Sequence, residues 1–145
     1  MHVVVLLKQV LDPELPVRAF RIDPERKVPA VDRAPYVMSV FDGNALEVAL
    51  KLREARGGGV KITAISLGLK GTEEILRKAL ALTADAAVLV EGDPAAMDSP
   101  TKARLLAAAI RNQGGADLVL AGRQAADWEA GQVGAMVAEE LGLPC

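Results

Sequence analysis

The segment that decides the fold is Leu118-Val-Leu-Ala-Gly-Arg-Gln-Ala-Ala-Asp-Trp-Glu-Ala-Gly-Gln-Val-Gly-Ala-Met-Val-Ala-Glu-Glu-Leu141. Its apolar start predicts a buried strand, residues 132–141 predict a helix, and a polar loop with Gly122 and Gly131 joins them. Such a loop collects free backbone N–H groups and the positive end of a helix dipole at one point. The segment therefore predicts an α/β protein with an anion or nucleotide site. Glycines that only turn the chain are the alternative.

Three further apolar runs resemble this strand, at Val3–Leu7, Val60–Leu67 and Ala86–Val90. Their nearly continuous apolar character is typical of strands covered by helices on both faces. Helical patterns alternate with the strands, at Asp42–Arg56, Thr72–Leu82, Ser99–Asn112 and Gln132–Leu141. The alternation predicts a doubly wound α/β domain with a mainly parallel sheet, three layers and right-handed crossovers.

Helix ends are marked by capping residues. Ser99 followed by Pro100 predicts an N-cap and a first helical residue. Gly57 and Gly142 stand where C-terminal caps belong.

Length and composition narrow the class of protein. The 145 residues suit a single domain over 1–145, with 51% hydrophobic and 3% aromatic residues and a net charge of −2. The absence of a basic stripe argues against nucleic acid, and no apolar run is long enough for membrane insertion. The single cysteine, Cys145, excludes an internal disulfide and fits a cytoplasmic location.

Residues 9–40 are too long for an ordinary strand-to-helix loop and contain five prolines. We predict a small hairpin around Arg18–Asp23 and Lys27–Val31, which lies as a flap near the end of the first strand. The alternative is a surface excursion that serves packing or a partner.

Ligands of doubly wound sheets bind at the carboxyl ends of strands where the strand order reverses. Suppose that the four predicted strands, numbered along the chain, lie side by side in the order third, second, first, fourth. The segment that begins at Lys8 and the segment Gly122–Gly131 then flank that point. Trp128 in the second segment would stack on a ring or close the edge of the domain. Neither the dinucleotide glycine motif nor a P-loop motif is present, which argues against a conventional dehydrogenase or P-loop enzyme.

Residues suited to catalysis lack partners in the sequence pattern. His2 is the only histidine, so Ser66 and Ser99 have no obvious base. Asp93 and Asp98 flank a proline-containing loop and fit turns or caps better than a metal site. A binding or carrier module is therefore favoured over a catalyst.

Four segments in order carry a family resemblance: Val5–Asp12, Phe41–Leu50, Leu76–Asp85, and Gly122–Asp127 with Gln132–Gly134. From end to end, the chain resembles the N-terminal part of electron transfer flavoprotein β subunits. The resemblance implies an adenine-nucleotide-binding (HUP-like) fold and a non-catalytic subunit of a two-subunit electron carrier. Its partners would be an α subunit and, through the complex, dehydrogenases.

The resemblance also implies a cofactor, either a structural AMP or, as in electron-bifurcating members, FAD. By position, the family's nucleotide contacts fall on Leu6, Ser39, Val40, Phe41, Asp42, Leu67, Gly122, Arg123, Gln124, Ala125, Ala126, Asp127, Trp128, Glu129, Ala130, Gly131, Gln132 and Val133. Backbone groups of the last segment would receive the phosphate.

The chain departs from the family pattern in three places. Ser39-Val40 replaces the family's Asn-Pro, which alters an adenine-side contact. Ala130 lacks a hydroxyl that would touch phosphate. Family β subunits also continue further, into the segment that docks redox partners, so we expect a domain or short relative without that segment.

Two alternatives share this fold. One is a universal-stress-type ATP-binding module that acts as a homodimer, although its glycine pattern is not matched after Gly122. The other is an interaction domain that has lost its ligand, which Ala130 motivates.

Overall fold

A parallel sheet forms the centre of the molecule. The computed structural model describes residues 1–25, 27, 29–30 and 35–145. In chain order the elements are β1 (His2–Leu6), β2 (Gln9–Leu11), β3 (Tyr36–Met38), α1 (Val40–Ala55), β4 (Lys61–Gly68), α2 (Glu73–Ala81), β5 (Ala86–Glu91), α3 (Ser99–Asn112), β6 (Leu118–Ala121) and α4 (Val133–Leu141). The sheet has the order β5-β4-β1-β6 with every pair parallel, which confirms the predicted fold class and matches the order assumed in placing the ligand site.

Helices cover both faces of this sheet. Val3 and Val5 of β1 share one apolar cluster with residues of α1 and α2, whereas Val4 and Leu6 share the other with residues of α3 and α4. This alternation follows from the two-residue period of a strand. Each fully buried Val, Leu or Ile contributes about 1.5–3 kcal/mol through removal of apolar surface from water. The result is the three-layer arrangement that the sequence predicts.

The predicted helix bounds are correct to within two residues, with one informative error. Asp98, not Ser99, caps α3, because its carboxylate accepts a hydrogen bond from the Thr101 N–H at 2.8 Å. Pro100 is therefore the second helical residue rather than the first. Both Asp and Ser suit an N-cap, so composition alone does not separate adjacent candidates. At the other ends, Gly57 (φ +65°) and Gly142 (φ +68°) adopt the left-handed conformation expected after a helix.

The excursion between β1 and α1 contains a short antiparallel pair that the sequence analysis missed. In β2 and β3, Gln9 pairs with Met38 and Leu11 with Tyr36. Strands of three residues are too short to show a period. Of the predicted hairpin, the structure has one bridge between Ile22 and Pro29, and the predicted second arm ends at Val31, outside the described residues.

Candidate functional site

The strand order reverses between β1 and β6, and the chain leaves both strands at the same edge. The two strands pair in parallel up to Leu6 and Ala121. Helix α1 packs on one face of this pair and α4 on the other. The carboxyl ends of β1 and β6 therefore open into a crevice between two helices, where ligands of doubly wound proteins bind.

Asp42, in the first turn of α1, joins the two strand ends. One carboxylate oxygen accepts the Lys8 N–H at 2.7 Å and the other accepts the Gly122 N–H at 3.1 Å. The residue is only 7% exposed. Burial raises the pKa of Asp42 to about 6, with a smaller contribution from the Asp127 charge, against the two N–H bonds and the Lys8 ammonium, which lower it.

Gly122 is required by the close approach of α1 to the end of β6. A Cβ at this position would lie 2.7 Å from the Phe41 Cβ and 2.8 Å from the Phe41 carbonyl carbon, and it would overlap the Asp42 carboxylate. The next residue, Arg123, places its guanidinium 5.6 Å from the centre of the Phe41 ring. The start of the loop is thus held against the first turn of α1.

An ion pair ties the end of β1 to the middle of the loop. The Lys8 ammonium donates to both oxygens of Asp127, at 2.6 and 2.7 Å. Asp127 also accepts the Trp128 N–H at 2.9 Å. Both charged side chains are about one-third exposed, so solvent weakens their attraction.

The loop then folds back before α4. The Glu129 N–H donates to the Ala125 carbonyl at 3.1 Å, and Glu129 and Gly131 have φ values of +53° and +61°. A Cβ on Gly131 would lie 3.1 Å from the Arg123 carbonyl oxygen. This compact turn delivers the chain to the N-terminus of α4, whose first N–H groups have no partner inside the helix. Its geometry suits an anionic ligand.

The first part of the excursion after β1 lies beside this loop. An open groove of about 280 Å³ is lined by Leu11, Pro13, Leu15 and Phe20 on one side and by Ala126 and Asp127 on the other. A second groove, of about 300 Å³, runs along α1 and β6 to Gly122 and Arg123.

Most residues predicted to contact a nucleotide converge at this edge. Phe41 and Asp42 meet the start of the loop, and Leu6 ends β1. Leu67 lies on β4, which is separated from β6 by β1. Trp128 is 82% exposed, so it does not close the edge of the domain. That these residues contact a nucleotide stays a prediction.

Two buried hydroxyls distinguish the region. Ser39 and Ser66 are wholly buried, and within the described part of the chain neither hydroxyl oxygen has a hydrogen-bond partner. Ser39 lies at the N-terminus of α1, where its N–H donates to the Lys8 carbonyl. The unsatisfied buried hydroxyl of Ser39, near a loop that begins at the sterically required Gly122, fits a site for a polar ligand.

Sequence reasoning missed the pairing of Lys8 with Asp127, because 119 residues separate them and no local pattern connects them. For Ser66 a signal did exist, because its hydroxyl stands between Ile65 and Leu67 in a largely apolar strand.

The remaining polar candidates have structural roles. The His2 ring lies at the opposite end of the sheet, 2.7 Å from the Gly115 carbonyl oxygen and 2.8 Å from the Thr63 hydroxyl. Asp93 and Asp98 accept backbone N–H groups, which confirms the turn and cap interpretation. Among the described residues, no three His, Cys, Asp or Glu side chains are arranged to hold a metal ion.

None of the helices in the described ranges is both long enough and apolar enough to cross a membrane.

Comparison with known proteins shows the family of this chain. Residues 28–145 match the electron transfer flavoprotein domain. The chain belongs to the electron transfer flavoprotein family. It is 40% identical over 145 residues to the electron transfer flavoprotein subunit beta of Thermoanaerobacterium thermosaccharolyticum, an alignment that covers 99% of this chain and 53% of the relative.

Other relatives carry different names within the same family. The subunit CarD of the caffeyl-CoA reductase-Etf complex of Acetobacterium woodii is 34% identical, and Protein FixA of Azorhizobium caulinodans is 37% identical. These alignments cover 99% of this chain and 53% and 50% of the relatives. The chain thus spans about half the length of the curated relatives it matches. It is an electron transfer flavoprotein component of the β type, which confirms the predicted family over the universal-stress alternative.

Proposed function

We propose that this chain is the nucleotide-binding part of an electron transfer flavoprotein β subunit. It holds AMP or FAD at the carboxyl edge of β1 and β6 and acts with an α subunit. In this role it carries no catalytic residues of its own. It supports electron transfer from dehydrogenases through the complex, in the cytoplasm.

The observation that carries the proposal is the loop from Gly122 to Gly131 at the point where the strand order reverses. It combines a compact backbone turn, the N-terminus of a helix and two positions where a Cβ is not accommodated without displacement of neighbouring atoms. This combination favours a phosphate-bearing ligand. The family membership makes an adenine nucleotide the natural choice.

The residues present fit such a ligand. The backbone N–H groups of Gly122, Trp128 and Glu129 already donate within the protein, so other N–H groups between Arg123 and Val133 would receive the phosphate. Ser39 to Asp42 would lie on the adenine side. The unpartnered Ser39 hydroxyl offers one hydrogen bond there. Bound FAD would supply reversible electron storage on its ring, whereas AMP would contribute only structure.

The first test is to denature freshly purified protein and to identify the released small molecules by absorbance and mass spectrometry. Released AMP would support a structural nucleotide, and released FAD would support a site of the bifurcating type. If no nucleotide is released and neither AMP nor FAD binds when added at high micromolar concentration, the proposal is refuted.

A matched pair of variants then locates the site. Gly131→Ala and Gly142→Ala place a Cβ on residues with nearly equal positive φ, +61° and +68°, so both carry similar backbone strain. Gly131 lies in the loop and Gly142 beyond α4. We expect nucleotide affinity to fall at least tenfold in Gly131→Ala and to change less than twofold in Gly142→Ala. Equal affinities in the two variants would place the ligand elsewhere.

A further inference from the structure

The strand pair β1 and β6 is held by a carboxylate at each end. At the amino end, Asp117, which immediately precedes β6, accepts the His2 N–H at 2.6 Å. At the carboxyl end, Asp42 accepts the N–H groups of Lys8 and Gly122. Each carboxylate therefore accepts at least one backbone N–H group in place of a carbonyl oxygen, at a point where the backbone hydrogen bonds between the two strands begin or end.

The two carboxylates differ in how they reach the strands. Asp117 belongs to the chain that enters β6, whereas Asp42 comes from α1 and meets residues 34 and 80 positions away. Beyond Leu6 and Ala121 the ladder has ended, so backbone N–H groups there need other acceptors. Asp42 satisfies two of them at once. It thereby sets how Lys8 and Gly122 leave the sheet.

Both of these residues lead directly into the candidate site. Lys8 holds Asp127 in the middle of the loop, and Gly122 is the first residue of that loop. A displacement of Asp42 would therefore change the start of the loop and its anchoring ion pair together.

The buried environment of Asp42 disfavours the ionised form of its carboxyl group. Burial raises the pKa of this carboxyl group to about 6, so the fold bears an unfavourable contribution to keep it ionised at neutral pH. The charged side chains around it are Lys8 after β1, which favours the ionised form, and Asp127 in the loop, which opposes it; Arg123 lies over Phe41 next to it. Groups held in a costly state are more common at functional sites than elsewhere.

We propose that Asp42 is a positioning residue for the nucleotide: its carboxylate bridges Lys8 and Gly122 and so sets the geometry of the loop from Gly122 to Gly131. Both carboxylate oxygens accept backbone N–H groups, so the side chain of Asp42 acts through the loop, and any contact of this residue with the adenine side is made by its backbone. The inference rests on the nucleotide-binding function proposed above.

The test compares the wild-type protein with Asp42→Asn and, as a matched control, Asp117→Asn. Asparagine keeps the shape of aspartate but turns an NH₂ donor toward one of the two backbone donors. We expect the dissociation constants of AMP and FAD, measured by calorimetry at pH 8, to rise at least tenfold in Asp42→Asn. They should change less than twofold in Asp117→Asn, because that bond joins the same strands at the far end.

The pH profile separates positioning from a general loss of structure. If only the ionised carboxylate holds the loop, wild-type affinity should fall about tenfold from pH 7 to pH 5, in proportion to the ionised fraction. Asp42→Asn should lack this fall, and titration of the nucleotide itself cancels because both proteins bind the same ligand. Measured with FAD, whose pyrophosphate does not titrate between pH 5 and pH 7, the wild-type profile needs no variant for comparison, so it decides the question even if a variant does not fold.

Nuclear magnetic resonance supplies a readout that is independent of the ligand. The amide signals of Lys8 and Gly122 should titrate together in the wild-type protein and should not do so in Asp42→Asn. Equal affinity and equal pH profiles in wild-type protein and Asp42→Asn would overturn the positioning role alone. Absence of binding by the wild-type protein would instead overturn the proposed function, and the positioning role with it. Amide signals that do not titrate would overturn the bridge itself.

Discussion

Replacement of Asp42 by Asn should change the way in which the free energy of unfolding depends on pH. In the folded protein the pKa of Asp42 is about 6, against an ordinary value of 3.8, so the folded state binds this proton more tightly than the unfolded chain. The contribution of Asp42 to stability is therefore fully present below pH 3.8. It is lost as the pH rises through about 6.

The size of the effect follows from the difference between the two pKa values. A gap of about two pH units corresponds to about 3 kcal/mol over the full titration, of which the folded protein loses about 2 kcal/mol between pH 4 and pH 7. Because Asp42 is only 7% exposed, solvent screening reduces this figure little. Asparagine does not titrate, so the difference in unfolding free energy between Asp42→Asn and the wild-type protein should move by about 2 kcal/mol in favour of the variant over this range.

Urea unfolding followed by far-ultraviolet circular dichroism, at half-unit steps from pH 4 to pH 8, measures this difference. Trp128 is too exposed to report on unfolding by fluorescence. Other carboxylates contribute equally to both proteins and cancel. The constant offset between the two curves of unfolding free energy against pH depends on the hydrogen bonds that the asparagine amide of the variant makes. The change of their difference with pH does not depend on those hydrogen bonds. A flat difference, or one that moves in favour of the wild-type protein as the pH rises, would refute the reasoning.

Two further predictions concern the same edge of the sheet. Gly122→Ala should destabilise the protein by about 1–3 kcal/mol, because the new Cβ meets Phe41 and the Asp42 carboxylate. Gly71→Ala is the matched control, because a Cβ at Gly71 has nothing within 4 Å. Equal melting temperatures for the two variants would contradict this packing. A double-mutant cycle with Lys8→Met and Asp127→Asn should give a coupling free energy below about 1 kcal/mol that declines with added salt, since both side chains are about one-third exposed. A coupling that is insensitive to salt would show that the pair is more buried than this structure indicates.

Local patterns predicted the framework well because the signals that define strands and helices are short-range. The apolar run from Val3 to Leu7 has too few polar residues for a half-exposed strand, and Gly142 marks the end of α4 by its tolerance of positive φ. The strand order was an assumption rather than a prediction from local patterns, although crossover geometry leaves few arrangements. The pairing of β2 with β3 was missed because three residues carry no measurable period.

The candidate site was only partly predictable. The loop from Gly122 to Gly131 was identified from its glycines and its place between strand and helix, and the family resemblance added Ser39 to Asp42. The contacts that join these segments depend on tertiary packing, so no local pattern shows that Asp42 reaches both Lys8 and Gly122.

The sequence by itself determined the fold class and the family, because these depend on periodicity, capping and motifs that neighbouring residues carry. Only the tertiary structure decided the state of Asp42, the lack of space for a Cβ at Gly122 and the ion pair between Lys8 and Asp127. The physical reason is that burial and hydrogen bonding at this site come from segments up to 119 residues apart, which meet only when the sheet brings the carboxyl ends of β1 and β6 together.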